Sequence, residues 1–392
     1  MPAPEKIPGS LDTTMRPGPT IMLVGLGDLG GAVLERLARQ EGLGQIVVCS
    51  RRVARGVARC NLARLGAVAE GYEPSIRFVA LDINDADAVA DTVRHEAPNL
   101  IFSAATLQTW WLADLLPEEQ ARVLKKARFG VWLPVHLTLT LKLMRALRDA
   151  HYRGITLTAP FPDVVNCVLG KLGLAPTCGV GNIDEIVPKL RLLAAEQLGE
   201  RLDAIDVLLV AHHSLQAAAF GEPMEEIPPY YLRIYFEGQD VTDKVDANAL
   251  LLAPYPLTPG PPSCFLTAAT AVRLIHALLS EHESYLHAPS PHGLPGGYPV
   301  VVQGGDVQPA DLEGLSLAEA IDINERSHRF DGVECIEDDG TVVFCPQDVQ
   351  VLRETLGCDC KRLKPAESEE RARELMARFR EYAARYGVVV PR

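Results

Sequence analysis

The chain has no uninterrupted run of about 18 apolar residues, the length that a membrane-crossing helix needs. Its opening stretch, MPAPEKIPGSLDTTMRPGPT, holds no apolar core of the kind that a secretory leader carries. No membrane partner is therefore expected. A basic excess is lacking too: 38 Lys and Arg stand against 51 Asp and Glu, a formal net charge of −13. Recognition of a phosphate backbone wants a basic footprint, so no nucleic-acid partner is expected either. Paired cysteines are also missing. Nine cysteines are spread through 392 residues, an odd number and far sparser than a disulfide scaffold. Cys358-Asp359-Cys360 is not a C-x-x-C pair, and no second pair at zinc-finger spacing accompanies it, so no structural metal is expected. These absences leave an acidic, cytoplasmic enzyme with reduced thiols and a small-molecule substrate.

What is present is a regular alternation. With 47% hydrophobic residues the chain can bury a sizeable core, and its length suits two domains better than one. Short β-branched runs at 21–24, 46–49, 76–81, 99–105, 154–159 and 176–182 read as strands. Helical spacing of apolar residues separates them at 86–95, 139–150 and 162–173. Further helices are expected at 184–198, 262–284 and 368–386, with strand-like segments at 204–214 and 230–241. The order predicts an α/β chain built on a doubly wound parallel sheet, with a second, mixed α/β domain.

The first strand leads into IMLVGLGDLGGAVLERL, where Gly25, Gly27 and Gly30 fit G-x-G-x-x-G at the mouth of a helix. The first glycine permits a tight turn, the second lets the backbone approach a pyrophosphate, and the third lets helix and strand pack closely. Asp28 and Leu29 lie inside the motif, and the aspartate is expected to point away from the phosphates or to cap the helix. An acid at the end of the second strand would bond the ribose 2′-hydroxyl of NAD, but this chain places Ser50, Arg51 and Arg52 there. A hydroxyl beside guanidinium groups suits the extra 2′-phosphate of NADP, so NADP is the expected cofactor, with NAD possible. The expected divisions are a loose arm at 1–19, an NADP-binding Rossmann domain at 20–183 and a substrate domain at 184–392.

VGLGDLGGAV, LDINDADAVADTV and PNLIFSAA together resemble the nucleotide-binding half of saccharopine dehydrogenase-like and extended short-chain reductases. That resemblance implies that Asp82 and Ile83 lie near the adenine and that Ser103, Ala104 and Ala105, with Thr106, run beneath the nicotinamide ribose. The Y-x-x-x-K proton donor of short-chain reductases is absent after the fourth strand. The segment from Ala159 to Glu222 is instead similar to the lactate/malate dehydrogenase superfamily. The likeness lies in a proline-opened helix carrying Asp163, a strand ending GVGNIDE, a helix, and a strand ending AHHS. It implies that His213, or else His212, exchanges the proton, and that Asp184 or Asp163 orients it. Asn182 falls beside that site as a substrate contact. An imidazole suits the task because it titrates near neutrality, and a carboxylate behind it fixes the tautomer.

The departures bear on the substrate. Both arginines of that superfamily are missing: TLQTWWLADLL fills one loop, and Val187 followed by Pro188 stands three positions past Asp184. A small 2-hydroxy acid clamped by a guanidinium is not expected. Gln108 and Trp110, with Trp111, Tyr230 and Tyr231, suggest a larger, less charged substrate. The expected activity is reversible hydride transfer to a carbonyl or imine. Two alternatives stay open: a NAD- and metal-dependent glycosidase of the family 4 type, using Cys178 with a histidine, and an NADPH-sensing protein without chemistry. A homodimer is expected from the frequency of such assemblies.

Overall fold

The computed structural model describes residues 18–390; most of the expected N-terminal arm lies outside the described residues. The first half alternates β1 (Thr20–Val24), α1 (Asp28–Leu37), β2 (Gln45–Ser50), α2 (Val53–Ala69), β3 (Ile76–Ala80), α3 (Ala86–Glu96) and β4 (Leu100–Ser103). It continues through α4 (Glu118–Leu124), α5 (Leu133–Asp149), β5 (Ile155–Thr158), α6 (Pro162–Lys171), β6 (Cys178–Gly179) and α7 (Ile183–Leu198). The six strands form one parallel sheet in the order β3-β2-β1-β4-β5-β6. Ile21 of β1 stands opposite Ile46 of β2 on one side and Leu100 of β4 on the other.

This is the doubly wound arrangement that the sequence predicts, and its switch point lies between β1 and β4. The period-two rule divides its core. Met22 and Val24 of β1 face the helices α3, α5 and α6, while Ile21 and Leu23 face α1 and α2.

The second half runs through β7 (Ile205–Val210), α8 (Leu215–Ala219), β8 (Tyr231–Phe236), β9 (Gln239–Asp240), α9 (Ala247–Leu252), α10 (Cys264–Leu279), β10 (Ser284–Pro289), β11 (Gly297–Gln303) and β12 (Asp306–Pro309). It ends with α11 (Leu317–Ser327), β13 (Val333–Ile336), β14 (Val342–Phe344), α12 (Pro346–Leu356), β15 (Arg362–Leu363) and α13 (Ser368–Ala384). Three small antiparallel sheets, β7-β8-β9, β10-β11-β12 and β13-β14-β15, replace any continuation of the parallel one.

These later elements cover both faces of the parallel sheet. Helix α10 lies against α1, and α13 lies against α5. Ala372, Leu375, Phe379, Tyr382 and Ala383 recur every three or four residues along α13, which gives it one buried stripe. Phe379 meets the Trp132 ring edge-on at 5.6 Å, so the charged final helix closes the core on that face.

Candidate active site

At the carboxyl end of β1 the three glycines divide the work by steric need. Gly25 turns the chain at φ +95, and a Cβ there would meet the Ala105 nitrogen at 2.8 Å. A Cβ on Gly30 would collide with the Gly25 carbonyl oxygen. Gly27 differs: among the described residues, nothing beyond its own stretch of chain lies within 4 Å of where its Cβ would be. It is also the N-cap of α1, with no side chain capping the helix, so the first backbone N–H groups stay available to an anion. Ser103, fully buried at the end of β4, has an Oγ without a partner among the described residues. Leu29 is half-buried against the core on the α1 side, and the Ala104 nitrogen donates to the Val24 carbonyl at 2.9 Å. An open glycine cradle, an uncapped helix start and an orphan hydroxyl at the switch point fit a dinucleotide.

The flanks of this cleft carry the remaining predicted nucleotide contacts. Ser50 ends β2, its Oγ 3.5 Å from the Arg52 nitrogen, and Arg51 and Arg52 are exposed at the start of α2. After β3, Asp82 is exposed and accepts the Asn84 backbone N–H at 3.0 Å, while Ile83 is buried. Thr106 turns inward: its Oγ1 lies 3.0 Å from the carbonyls of Gln108 and Val135 and from His136 Nδ1. Asp28 neither caps α1 nor points free. Its Oδ2 accepts the Trp111 indole N–H at 3.1 Å, which fastens the loop after β4 across the glycine turn.

Beyond β7, Ala211 bridges to Gly297 and the chain turns sharply through His212 and His213. Asp163, wholly buried in the first turn of α6, fixes that turn. Its Oδ2 accepts the His213 backbone N–H at 2.6 Å, and its Oδ1 accepts the Asn182 amide at 2.8 Å. The two predicted residues Asp163 and Asn182 thus act together as a brace. The His213 ring points into an aromatic collar, with the Phe129 and Phe161 centroids at 5.3 and 5.4 Å.

Asp331 orients that ring. Its Oδ2 lies 2.8 Å from His213 Nδ1, which leaves Nε2 as the nitrogen able to meet a substrate. Burial disfavours the imidazolium, but Asp331, followed by Asp163 and Glu185, outweighs it and raises His213 to about 9. Burial alone would push Asp331 up, yet the two histidines hold it well below the usual carboxylate range. His212 is buried, 3.3 Å from the same Oδ2 through Nδ1, and its Nε2 has no partner among the described residues. His213, with its side chain 23% exposed, is the histidine that can reach a ligand.

Asp331 ends the short helical turn 328–331 after α11, followed by Gly332 in the left-handed region at φ +86. Gly130 lets that segment come close, because a Cβ there would strike the Asp331 carbonyl oxygen.

The expectation that Asp184 sits behind a histidine is overturned. Asp184 is buried at the start of α7, but its Oδ1 takes the Arg273 guanidinium of α10. Burial pushes it up to about 7, with Arg273 opposing. Where a histidine-orienting aspartate was expected, the chain has an inter-helix ion pair. Arg128, the cation next to Phe129, is likewise occupied, bonding Asp348 through Nε at 3.0 Å and through its backbone nitrogen at 2.7 Å.

The residues expected as aromatic walls have other partners or lie open: Trp111 bonds Asp28. Gln108 is half-buried and offers its carbonyl to Thr106, Trp110 is 47% exposed, and the Tyr230 and Tyr231 hydroxyls bond Asn248 and the Glu313 carbonyl. Phe129 and Phe161 line the histidine instead. Cys178 is wholly buried in β6, its thiol pushed up by burial, and among the described residues no three His, Cys, Asp or Glu are grouped as a metal site requires.

No family model and no curated protein matches the sequence. Solved structures do match in shape. Malate dehydrogenase of Plasmodium falciparum, in complex with NADH, superposes with a TM-score of 0.53 at 13% identity, over 79% of this chain and 95% of its own. Cryptosporidium parvum malate dehydrogenase gives 0.55 at 12%, over 80% and 96%. Cryptosporidium parvum lactate dehydrogenase, complexed with lactic acid and nicotinamide adenine dinucleotide, gives 0.54 at 14%, over 81% and 99%. The fold is that of the lactate and malate dehydrogenases. The similarity extends past the parallel sheet, since those chains are covered almost end to end.

Proposed function

We propose that the chain is a nicotinamide-dependent dehydrogenase or reductase that prefers NADP, with His213 as its proton donor and acceptor. The observation that carries this reading is the Asp331–His213 pair, held by Asp163 just past the carboxyl end of β5, in the same parallel sheet whose β1 ends at the open Gly27 cradle. Gly25, Gly27 and Gly30, the first N–H groups of α1 and Ser103 would hold the dinucleotide, which supplies or accepts a hydride when bound. Ser50, Arg51 and Arg52 favour a 2′-phosphate, since no acid ends β2.

His213 has the work of a general acid. Its Nδ1–H stays on Asp331, and Nε2 gives a proton to the oxygen or nitrogen of the substrate as the C=O or C=N bond is reduced; in the reverse direction Nε2 takes it back. Asp331 fixes the tautomer and supports the imidazolium, and Asp163 holds the backbone of the turn. Phe129 and Phe161 keep water from the ring. Neither Arg128 nor Arg273 is free to clamp a carboxylate, so a simple 2-hydroxy acid does not suit this cleft.

The reading is tested by nicotinamide fluorescence titration with NADPH and NADH, followed by single-turnover assays on a panel of carbonyl and imine compounds. His213→Ala should leave NADPH binding intact and slow hydride transfer about 10²–10⁴-fold, the usual worth of a positioned acid. An unchanged rate would exclude His213 as the acid.

A further inference from the structure

Helices α1 and α2 pack on one another, and across that contact two arginines are laid over glycines. At the far end Arg39, just past α1, lies over Gly66 of α2, its Nη2 2.7 Å from where a Cβ would stand. Two carboxylates neutralise it: Glu35 at 3.1 Å and Glu70 at 2.7 Å. At the end next to the glycine turn, Arg59 of α2 lies over Gly31 of α1, and a Cβ on Gly31 would fall on the Arg59 Nη2. Glycine weakens a helix relative to alanine, and here its missing Cβ is what gives the guanidinium room.

No carboxylate neutralises Arg59. It is half-buried, and among the described residues it has neither an ion pair nor a side-chain hydrogen bond. The other half-buried arginines among the described residues all have acceptors, whether carboxylates, as for Arg77, Arg128 and Arg273, or backbone carbonyls, as for Arg64 and Arg191. The surroundings sharpen the contrast. In a chain of net charge −13, five arginines and no acid stand between Glu41 and Glu70. Arg55 and Arg59 share one face of α2, where like charges repel. Helical side chains lean toward the N-terminus, so the Arg59 guanidinium reaches from the second turn of α2 back toward Ser50 and Arg51.

We propose that Arg59 is a specificity-determining residue of the cofactor site: with Arg51 and Arg55 it receives a phosphate monoester on the adenosine ribose, in the groove between α1 and α2, and Gly31 is the notch that seats it. This rests on the NADP-dependent reading above and extends it from the surface guanidinium groups at the end of β2 to one that packing has already oriented. A dianion there supplies the counter-charge that Arg39 finds in Glu35 and Glu70. A guanidinium held by packing also loses less freedom on binding than one free in solvent.

Adenosine 2′,5′-bisphosphate and adenosine 5′-monophosphate differ only by the 2′-phosphate, and calorimetric titration of each into the full-length protein measures that group alone. Wild type should bind the bisphosphate at least tenfold tighter, and added salt should narrow the gap. Arg59→Gln should remove most of that preference and leave the monophosphate unchanged; Arg59→Lys, which lacks the planar fork, should retain part of it. Gly31→Ala keeps every charge but evicts the guanidinium from its notch, and should lower the preference in the same direction. NADPH and NADH titrations of the same four proteins should follow the two nucleotides.

Equal losses for both nucleotides in Arg59→Gln mark a packing role and overturn the proposal, as does an undiminished preference in that variant; the NADPH preference of wild type then still stands on Arg51 and Arg52. Should Arg59→Gln fail to fold, Gly31→Ala decides on the same criteria. Equal binding of the two nucleotides by wild type overturns the proposal together with the NADP assignment. Failure of both nucleotides and both cofactors to bind overturns the oxidoreductase reading itself.

Discussion

Asp331 lies 118 positions beyond His213 in the chain, and its Oδ2 stands 2.8 Å from the ring Nδ1. This pairing gives the pH behaviour a definite sign. His213 is raised to about 9, so reduction, which needs the imidazolium, should hold through neutrality and fall as pH rises through about 9. Asp331→Asn should move that alkaline limb down toward about 6.5, the ordinary histidine value, and lower the rate by at least about tenfold. The check is a pH–rate profile of both proteins.

Stability follows the same pair. A histidine raised on folding contributes fully below its unfolded value, and the contribution is lost as pH rises through about 9. The depressed Asp331 contributes above its unfolded value and loses that contribution in strong acid. Thermal unfolding of wild type and Asp331→Asn should therefore differ most between about pH 4 and 6.5, narrow as pH rises through about 9, and converge in strong acid.

Asp184 offers a contrast. Because its partner is Arg273, Asp184→Asn should leave turnover within about threefold of wild type, as befits a group outside the reacting set. Arg273→Ala should instead lower stability by roughly 2 kcal/mol, less than for a fully buried pair because the arginine is partly exposed. Steady-state rates and denaturant melts of the two variants separate these effects.

The glycine turn allows a test that distinguishes binding from folding. Gly27→Ala places a methyl in open space at φ −83, so stability should change by less than about 0.5 kcal/mol while NADPH affinity falls. Gly30→Ala drives its methyl into the Gly25 carbonyl and should destabilise the nucleotide-binding half itself. Parallel melts and fluorescence titrations would show the split.

Cofactor choice is tested at the end of β2. Removing both guanidinium groups, Arg51→Ala with Arg52→Ala, should weaken NADPH by at least tenfold, about 1.4 kcal/mol, and leave NADH almost unchanged. An equal loss for both cofactors would count against the 2′-phosphate assignment.

The parallel sheet was legible because its signals are local: β-branched runs, glycines at fixed spacing and proline-opened helices. That His213, Asp163 and Asn182 lie together was legible because they sit within one ordered stretch; their contacts were not, since Asn182, expected at the substrate, bonds Asp163, and Asp163, expected at the ring, holds the His213 backbone. Asp331 was not, since it comes from the turn 328–331, a segment without motif, and reaches the ring only through tertiary packing. Asp184 misled because family order placed it behind a histidine, whereas the outcome depended on Arg273, a helix away in space and 89 positions on. Helix α2 escaped notice for another reason: Leu62, Leu65 and Val68 lie on its exposed side, so its apolar residues do not mark the buried face.

The late origin of Asp331 and α13 orders events during synthesis. At about 5–20 residues per second, roughly 12 to 47 seconds separate the emergence of α5 from that of the helix that covers it. Until then the outer side of α5 lacks the helix that covers it. The glycine turn and its parallel strands are complete long before Asp331 is translated. A growing chain could thus grip a dinucleotide well before it could use one, and premature termination would yield a binder without the oriented acid.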